Sequence, residues 1–349
     1  MDGSATTSAR GGETLAKQAH ALAQDLTRPD PRIYWLDLAA TSLTIYASLW
    51  LAIATHPPAL AFAAAVVCLL ALYRGISFIH ELTHLRPEQV PGFHFAWNAL
   101  IGVPFLTPSL MYEGVHILHH ARDRYGTARD PEYHPLGRAP PRELALFLGI
   151  ALLAPLGVIL RFAIVTPISL LFPPLRRLAT AKLSAMTINP GFSREDFARA
   201  ASPAWLVQEI GCWLWSWTVI GLAGAQVIPA RALVITVTIY AAMAFLNQLR
   251  TSVAHVWAND GAPMKVLDQF LDTVNVPPPA TLPMLWAPVG LRYHALHHLM
   301  PRVPYHNLGA VHRRLMAKLP ADSPYAQASR TELGPALADL LKRMRATSP

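Results

Sequence analysis

Three short histidine clusters hold most of the metal-binding chemistry open to this chain. They read HELTH (His80, His84), HILHH (His116, His119, His120) and HALHH (His294, His297, His298). On an α-helix, side chains three and four residues apart share a face. So His80/His84, His116/His119, His116/His120 and the matching pairs of the third cluster can each converge on one point. Adjacent residues point about 100° apart, so His119 and His120 suit two neighbouring ions better than one, as do His297 and His298. Eight imidazoles exceed the four ligands of a zinc site and fit two metal ions a few Å apart. Imidazole suits Fe, Zn, Cu and Ni. HELTH alone also satisfies H-E-x-x-H, where two His hold zinc and the Glu, here Glu81, is the general base of a protease. That reading strands six cluster His and lacks a convincing Asp ligand in a later apolar helix. A metal carrier would instead spread its ligands along a path through a bilayer.

The elements that must position these residues are apolar helices. The 349 residues are 53% hydrophobic and only 14% charged, against roughly 25% charged in a soluble domain. A bilayer span needs roughly 20 apolar residues. Segments 36–54, 59–79, 206–227 and 232–249 qualify, with His56-Pro57-Pro58 breaking the first pair and Ile228-Pro229-Ala230-Arg231 the second. A fifth stretch, 144–172, is interrupted by Pro155, Arg161 and Pro167. If it crossed once, the loop 173–204 with Arg176, Arg177, Lys182, Arg194 and Arg199 would lie outside, against the positive-inside rule. We therefore expect it to lie in the interface or re-enter, with a six-span arrangement as the alternative. Of 29 Lys and Arg, only Arg231 then sits clearly outside.

The expected fold is an all-α integral membrane protein: four transmembrane helices in two hairpins, under a cytoplasmic helical cap that carries the His clusters. Residues 1–34 form a cytoplasmic N-terminal segment, 35–315 the membrane domain and 316–349 a C-terminal tail. The polar ends, 1–14 and about 320–349, are expected to be loosely held. The first 34 residues carry acids and bases throughout, so no signal peptide is expected there. The +8 net charge fits cytoplasmic loops, and no aromatic-interleaved basic stripe suggests nucleic acid. Cys68 and Cys212 lie in apolar runs and read as buried thiols. A bacterial inner membrane is the expected location, with the site and both termini on the cytoplasmic side.

The three clusters in this order resemble the histidine boxes of the membrane fatty acid desaturase and hydroxylase superfamily, over about residues 35–315. The tail of the third, HALHHLMPRVPYHNL, is similar to the acyl-lipid desaturase branch. The resemblance implies two non-haem iron ions held by the eight box His, with O₂ as co-substrate. It also implies a ninth ligand after the last span, here His255 in NQLRTSVAHVW. Some relatives carry an Asn four residues before that His; position 251 here is Thr, and Asn247 lies eight residues before it. Glu81, Glu113, Asp268 and Asp272 are acids near the boxes that could accept the second N–H of a ligand. Arg250 could pair with one of them, and Asn247 and His306 are further polar neighbours. His94, His134 and His312 have no box partner.

The implied chemistry is O₂-dependent attack on an unactivated C–H bond of a lipid acyl chain. Loss of a second hydrogen gives a C=C bond; return of OH gives an alcohol. The same ligands serve both, so positioning decides. Desaturation is the expected outcome, with lipid, carotenoid or alkane hydroxylation or ketolation as the alternative. An apolar tunnel is expected from the membrane helices and residues 93–112. Electrons must come from a separate ferredoxin, rubredoxin or cytochrome b5-like donor. The chain has no His-Pro-Gly-Gly haem motif, and two Cys cannot hold an iron–sulfur cluster.

Overall fold

The computed structural model describes residues 3–346, with side chains from residue 12 onward. Among these, every regular element is helical, and extended backbone meets only in isolated bridges. The helices used below are α1 (Gly3–Ala23), α2 (Pro31–Ala54), α3 (Pro58–Leu82), α4 (His116–His119), α5 (Pro141–Ala151), α6 (Ala154–Leu171), α7 (Pro173–Leu183), α8 (Pro203–Gly224), α9 (Ala230–Ser252), α10 (Val266–Asp272), α11 (His294–Leu299), α12 (Leu308–Lys318) and α13 (Leu333–Ala346).

Helix ends follow local chemistry. The Asp30 carboxylate accepts from Arg32 N at 2.9 Å and Pro31 opens α2. Ser202 caps α8 in the same way ahead of Pro203. A proline in the first turn loses nothing, because its missing N–H would have no helical acceptor. The expected breaker at Pro57 and Pro58 separates α2 from α3, and these two helices pack along each other. Helix α9 lies against α3, α5 and α6, and α8 lies against α6.

Four helices are long and apolar enough to cross a membrane: α2, α3, α6 and α9. By length and apolarity alone, α6, expected to lie in the interface or re-enter, is in this set, and α8, expected as the third span, is not. Arg161, one of the three residues that interrupt the apolar stretch 144–172, is held in a buried ion pair. Its guanidinium donates to Glu209 of α8 at 2.5 Å, Thr166 Oγ1 at 2.6 Å and Ser184 Oγ at 2.9 Å. Arg176 donates to the same carboxylate at 2.6 and 2.8 Å. The acid that lowers the apolarity of α8 is thus the partner that lets Arg161 lie within α6. The prolines do not interrupt α6 either. Pro155 and Pro167 each stand in the first turn of an α-helical piece, joined by the π-helical stretch Leu160–Val165.

Of the two ends expected to be loose, 1–14 and about 320–349, the second is packed, and α1 is buried from Leu15 onward. Leu15, Ala19 and Ala23 repeat every four residues on α1 and bury against Phe270, Leu296 and Leu315. Leu340 and Met344 of α13 bury against Tyr125, Leu136 and Trp257. Of the two ends expected to be loose, residues 1–2 and 347–349 lie outside the described residues. Helices α1, α10, α11, α12 and α13 gather where α3 and α9 finish.

Candidate metal centre

Each histidine cluster sits where a helix is short or ending. His80 is in the last turn of α3 and His84 two residues past its end. His116 and His119 occupy the single turn of α4, and His120 caps it. His294, His297 and His298 fill α11, and His255 follows α9 by three residues.

These nine side chains form two groups. The ligand nitrogens of His80, His84, His116 and His297 all lie within 4.8 Å of one another, as do those of His119, His255, His294 and His298. His120 joins the first group, its Nε2 standing 2.9 Å from His116 Nε2 and 3.1 Å from His297 Nε2. In the second, His294 Nε2 is 2.9 Å from His255 Nε2 and 3.2 Å from His298 Nε2. The pairs four apart (80/84, 116/120, 294/298) stay together. The pairs three apart (116/119, 294/297) are divided between the groups. Neighbours 119/120 and 297/298 are also divided, as the 100° step requires. The groups touch where the His120 and His298 rings stack at 4.3 Å.

The donor set fits cations. Ligand nitrogens on one tetrahedral ion, at about 2.0–2.1 Å each, stand about 3.3 Å apart. Several nitrogens have no hydrogen-bond partner although buried: both of His80, Nε2 of His84 and His119, and Nδ1 of His294. Such orphans are costly unless something binds them. Burial also pushes the imidazoles of His116, His120, His294, His297 and His298 far below their ordinary pKa. They are neutral at physiological pH, and the neutral ring is the form that ligates.

Carboxylates orient three of the rings. His119 Nδ1 donates to both oxygens of Asp130, at 2.9 Å each. His116 Nδ1 donates to Glu132 Oε1 at 2.9 Å, and Tyr112 OH donates to Glu132 Oε2 at 2.6 Å. His255 Nδ1 reaches Tyr125 OH at 2.9 Å, which donates to Asp272 Oδ2 at 2.9 Å. In each case Nδ1 is committed and Nε2 is left free. Burial pushes the Glu132 carboxyl up to about 7, with His119 pulling the other way.

Of the polar neighbours expected from sequence, Asp272 stands by a ligand; the rest do not. Glu81 accepts from Tyr34 OH and from Tyr305 N at 3.2 Å, so the acid of HELTH faces away from the imidazoles. Glu113 accepts from Ser109 Oγ at 2.5 Å, and Asp268 is exposed. His306 accepts from Asp30 N at 3.2 Å. Asn247 accepts from Arg250 Nη2 at 3.1 Å. Arg250 forms no ion pair with any acid among the described residues, contrary to expectation. His94, His134 and His312 bond or stack elsewhere. Asp130, Glu132, Tyr112 and Tyr125 escaped the sequence reading. The available signal was Asp130-Pro131-Glu132, ten residues beyond the second cluster.

A cavity of about 320 Å³ opens onto His80, His255 and His294. Its walls include Ile79, Leu106, Met111, Ile150, Val158 and Met243, so the expected stretch 93–112 contributes alongside α3, α5, α6 and α9. Asn247, Gln248, Arg250 and Thr251 line the same space.

A family model described as fatty acid desaturase matches residues 55–329. Among curated proteins, a ceramide hydroxylase of Caulobacter vibrioides (strain NA1000 / CB15N) is 54% identical over 332 residues, 95% of this chain and 94% of that one. This likeness overturns the expectation of a desaturase drawn from the third-box tail. Both outcomes begin with the same C–H attack by the same ligands, so box sequences do not separate them.

Proposed function

We propose that this chain, which belongs to the fatty acid desaturase family, is an O₂-dependent hydroxylase of ceramide or a closely related sphingolipid. The observation that carries the choice of reaction and lipid is the 54% identity, over 95% of the chain, to a ceramide hydroxylase. Two groups of imidazoles opening onto one apolar cavity support the same reading. The chain is an integral membrane oxidoreductase, and a lipid in the bilayer is within its reach.

His80, His84, His116, His120 and His297 would hold one iron, and His119, His255, His294 and His298 the other. When bound, the pair supplies O₂-dependent oxidation of an unactivated C–H bond. One oxygen atom enters that bond as hydroxyl and the other leaves as water, with two electrons and two protons supplied from outside. The chain's own part is positional. Asp130, Glu132 and the Tyr125–Asp272 pair keep the Nδ1 protons in place and the Nε2 lone pairs aimed. The apolar walls hold an alkyl segment against the imidazoles and limit water there. Cys68 and Cys212 are free, buried thiols, and the electrons would come from a separate ferredoxin, rubredoxin or cytochrome b5-like protein. Arg231 donates to Thr55 O, placing the α2–α3 and α8–α9 connections together. The Lys/Arg-rich remainder then favours the cytoplasm, in a bacterial inner membrane, for the metal end.

The test is purified protein in vesicles containing ceramide, with O₂ and a reducing system. The expected product is heavier by one oxygen atom. A product lighter by two hydrogens, or one zinc per chain in place of about two irons, overturns the reading.

A further inference from the structure

A cation stands in the cavity without a direct ion pair, and the acid that lines the same cavity, Glu132, is committed to His116 and Tyr112. Arg250 is in the last turn of α9, and its side chain lines the cavity beside His80, His255 and His294. Its Nε is buried and has no hydrogen-bond partner. Nη2 donates to Asn247 Oδ1 at 3.1 Å, and no acid among the described residues pairs with it. Across the cavity its charge is felt by His294 and by Glu132, without contact to either. A buried guanidinium is costly when one of its N–H groups is left without a partner. It cannot be a metal ligand, because it stays protonated and offers only donors. Beyond Asn247 Oδ1 and the neighbouring Tyr73 hydroxyl, its buried Nε still lacks an oxygen acceptor.

The polar residues around it form a tier. Asn247, Gln248, Arg250 and Thr251 stand on the last two turns of α9, while the rest of the lining is largely Ile, Leu, Met, Val and Ala. An apolar pocket with a few convergent polar groups recognises a ligand with one polar end. Thr251 precedes His255 by four residues and lines the same cavity with it.

We propose that Arg250 is a substrate-binding residue: with Asn247 it holds the amide carbonyl oxygen of the lipid and thereby sets which carbon is hydroxylated. The guanidinium donates to that oxygen, and Gln248 and Thr251 face the amide N–H and neighbouring hydroxyl. The chain runs on along the apolar wall toward Ile150 and Val158. The polar tier lines the same cavity as His80, His255 and His294, so an amide held there lies beside the imidazoles. The carbon attacked is therefore close to the amide and not at mid-chain. This deepens the ceramide reading and rests on it.

The experiment uses full-length protein in vesicles, with ceramide and, separately, a free fatty acid of matching chain length. Iron per chain is measured first in wild type, Arg250→Ala and Arg250→Lys, and is expected to be the same in all three. Wild type is expected to hydroxylate ceramide within a few carbons of the amide, read by fragmentation of the product. Arg250→Ala should raise the KM for ceramide about tenfold or more, the worth of a hydrogen bond to a charged group, and scatter the hydroxyl over several positions. Arg250→Lys should restore part of the affinity and less of the positional selectivity, because an ammonium lacks the planar fork. If wild type leaves ceramide untouched, the proposed function fails. If wild type hydroxylates ceramide and Arg250→Ala does so with unchanged KM and position, or if only fatty acid turnover depends on Arg250, this inference alone fails. Mid-chain hydroxylation by wild type also overturns it.

Discussion

His119 Nδ1 lies 2.9 Å from each carboxylate oxygen of Asp130, and both residues are buried. The same carboxylate accepts from Gly126 N at 2.8 Å and Glu132 N at 2.9 Å, so it cannot swing away. Asp130→Ala should free the His119 ring and lower iron affinity of its group by about 10–100-fold, the usual cost of losing a carboxylate behind a ligand. Iron titration of the purified variant checks this. Asp130→Asn should fall between, since the amide can accept but carries no charge. Unchanged affinity in Asp130→Ala would mean that His119 is oriented by something else.

The Arg161–Glu209–Arg176 cluster makes a different kind of prediction. Removing Glu209 leaves two cations facing each other, one of them buried within α6. Loss of one partner of a buried pair costs about 3–5 kcal/mol. Glu209→Ala should therefore melt markedly earlier in detergent. Arg161→Met should cost much less, because Arg176 still neutralises Glu209. Equal effects of the two changes would contradict this.

Leu340 of α13 is 1% exposed and packs in the cluster containing Trp257, two residues beyond His255. Leu340→Ala should cost about 2–5 kcal/mol, as buried Leu truncations do. It should also raise proteolysis of the C-terminal segment. A variant as stable as wild type would mean that α13 is dispensable to the fold.

His312 is buried beside Tyr325, whose OH lies 2.8 Å from its Nδ1, and burial, helped by Arg313, pushes its pKa down to about 4. The sign follows from linkage. Below the unfolded value of about 6.5, the unfolded chain binds a proton that the folded chain refuses, so stability falls as pH drops from there toward 4. Metal-free His312→Gln should lose less stability than metal-free wild type between pH 6.5 and 4.5. Parallel melting curves for the two across that window would refute the assignment.

Much of the centre was legible because helical spacing is local. His80/His84, His116/His120 and His294/His298 are i/i+4 pairs, and the structure keeps each together. His255 has no local partner, and only the resemblance drew attention to it. Asp130 and Glu132 return to His119 and His116 through a turn at Gly126, whose φ is +71°, and no periodicity announces that. Arg161 read as an interruption of the apolar stretch 144–172 because its partner, Glu209, is 48 residues away on another helix. Hydroxylation was not separable from desaturation because the ligands are common to both.

The division of neighbours between the two groups has a consequence for how metal enters. Helix α4 is one turn long, yet it sends His116 and His120 to one group and His119 to the other; α11 does likewise with His297 against His294 and His298. An ion bound in either group therefore anchors both short helices and organises the other group in advance. Loading is cooperative on the two-ion reading: chains given less iron than they can hold should divide into empty and doubly loaded molecules, with few carrying one ion. Native mass spectrometry at half-saturating iron counts the three species directly.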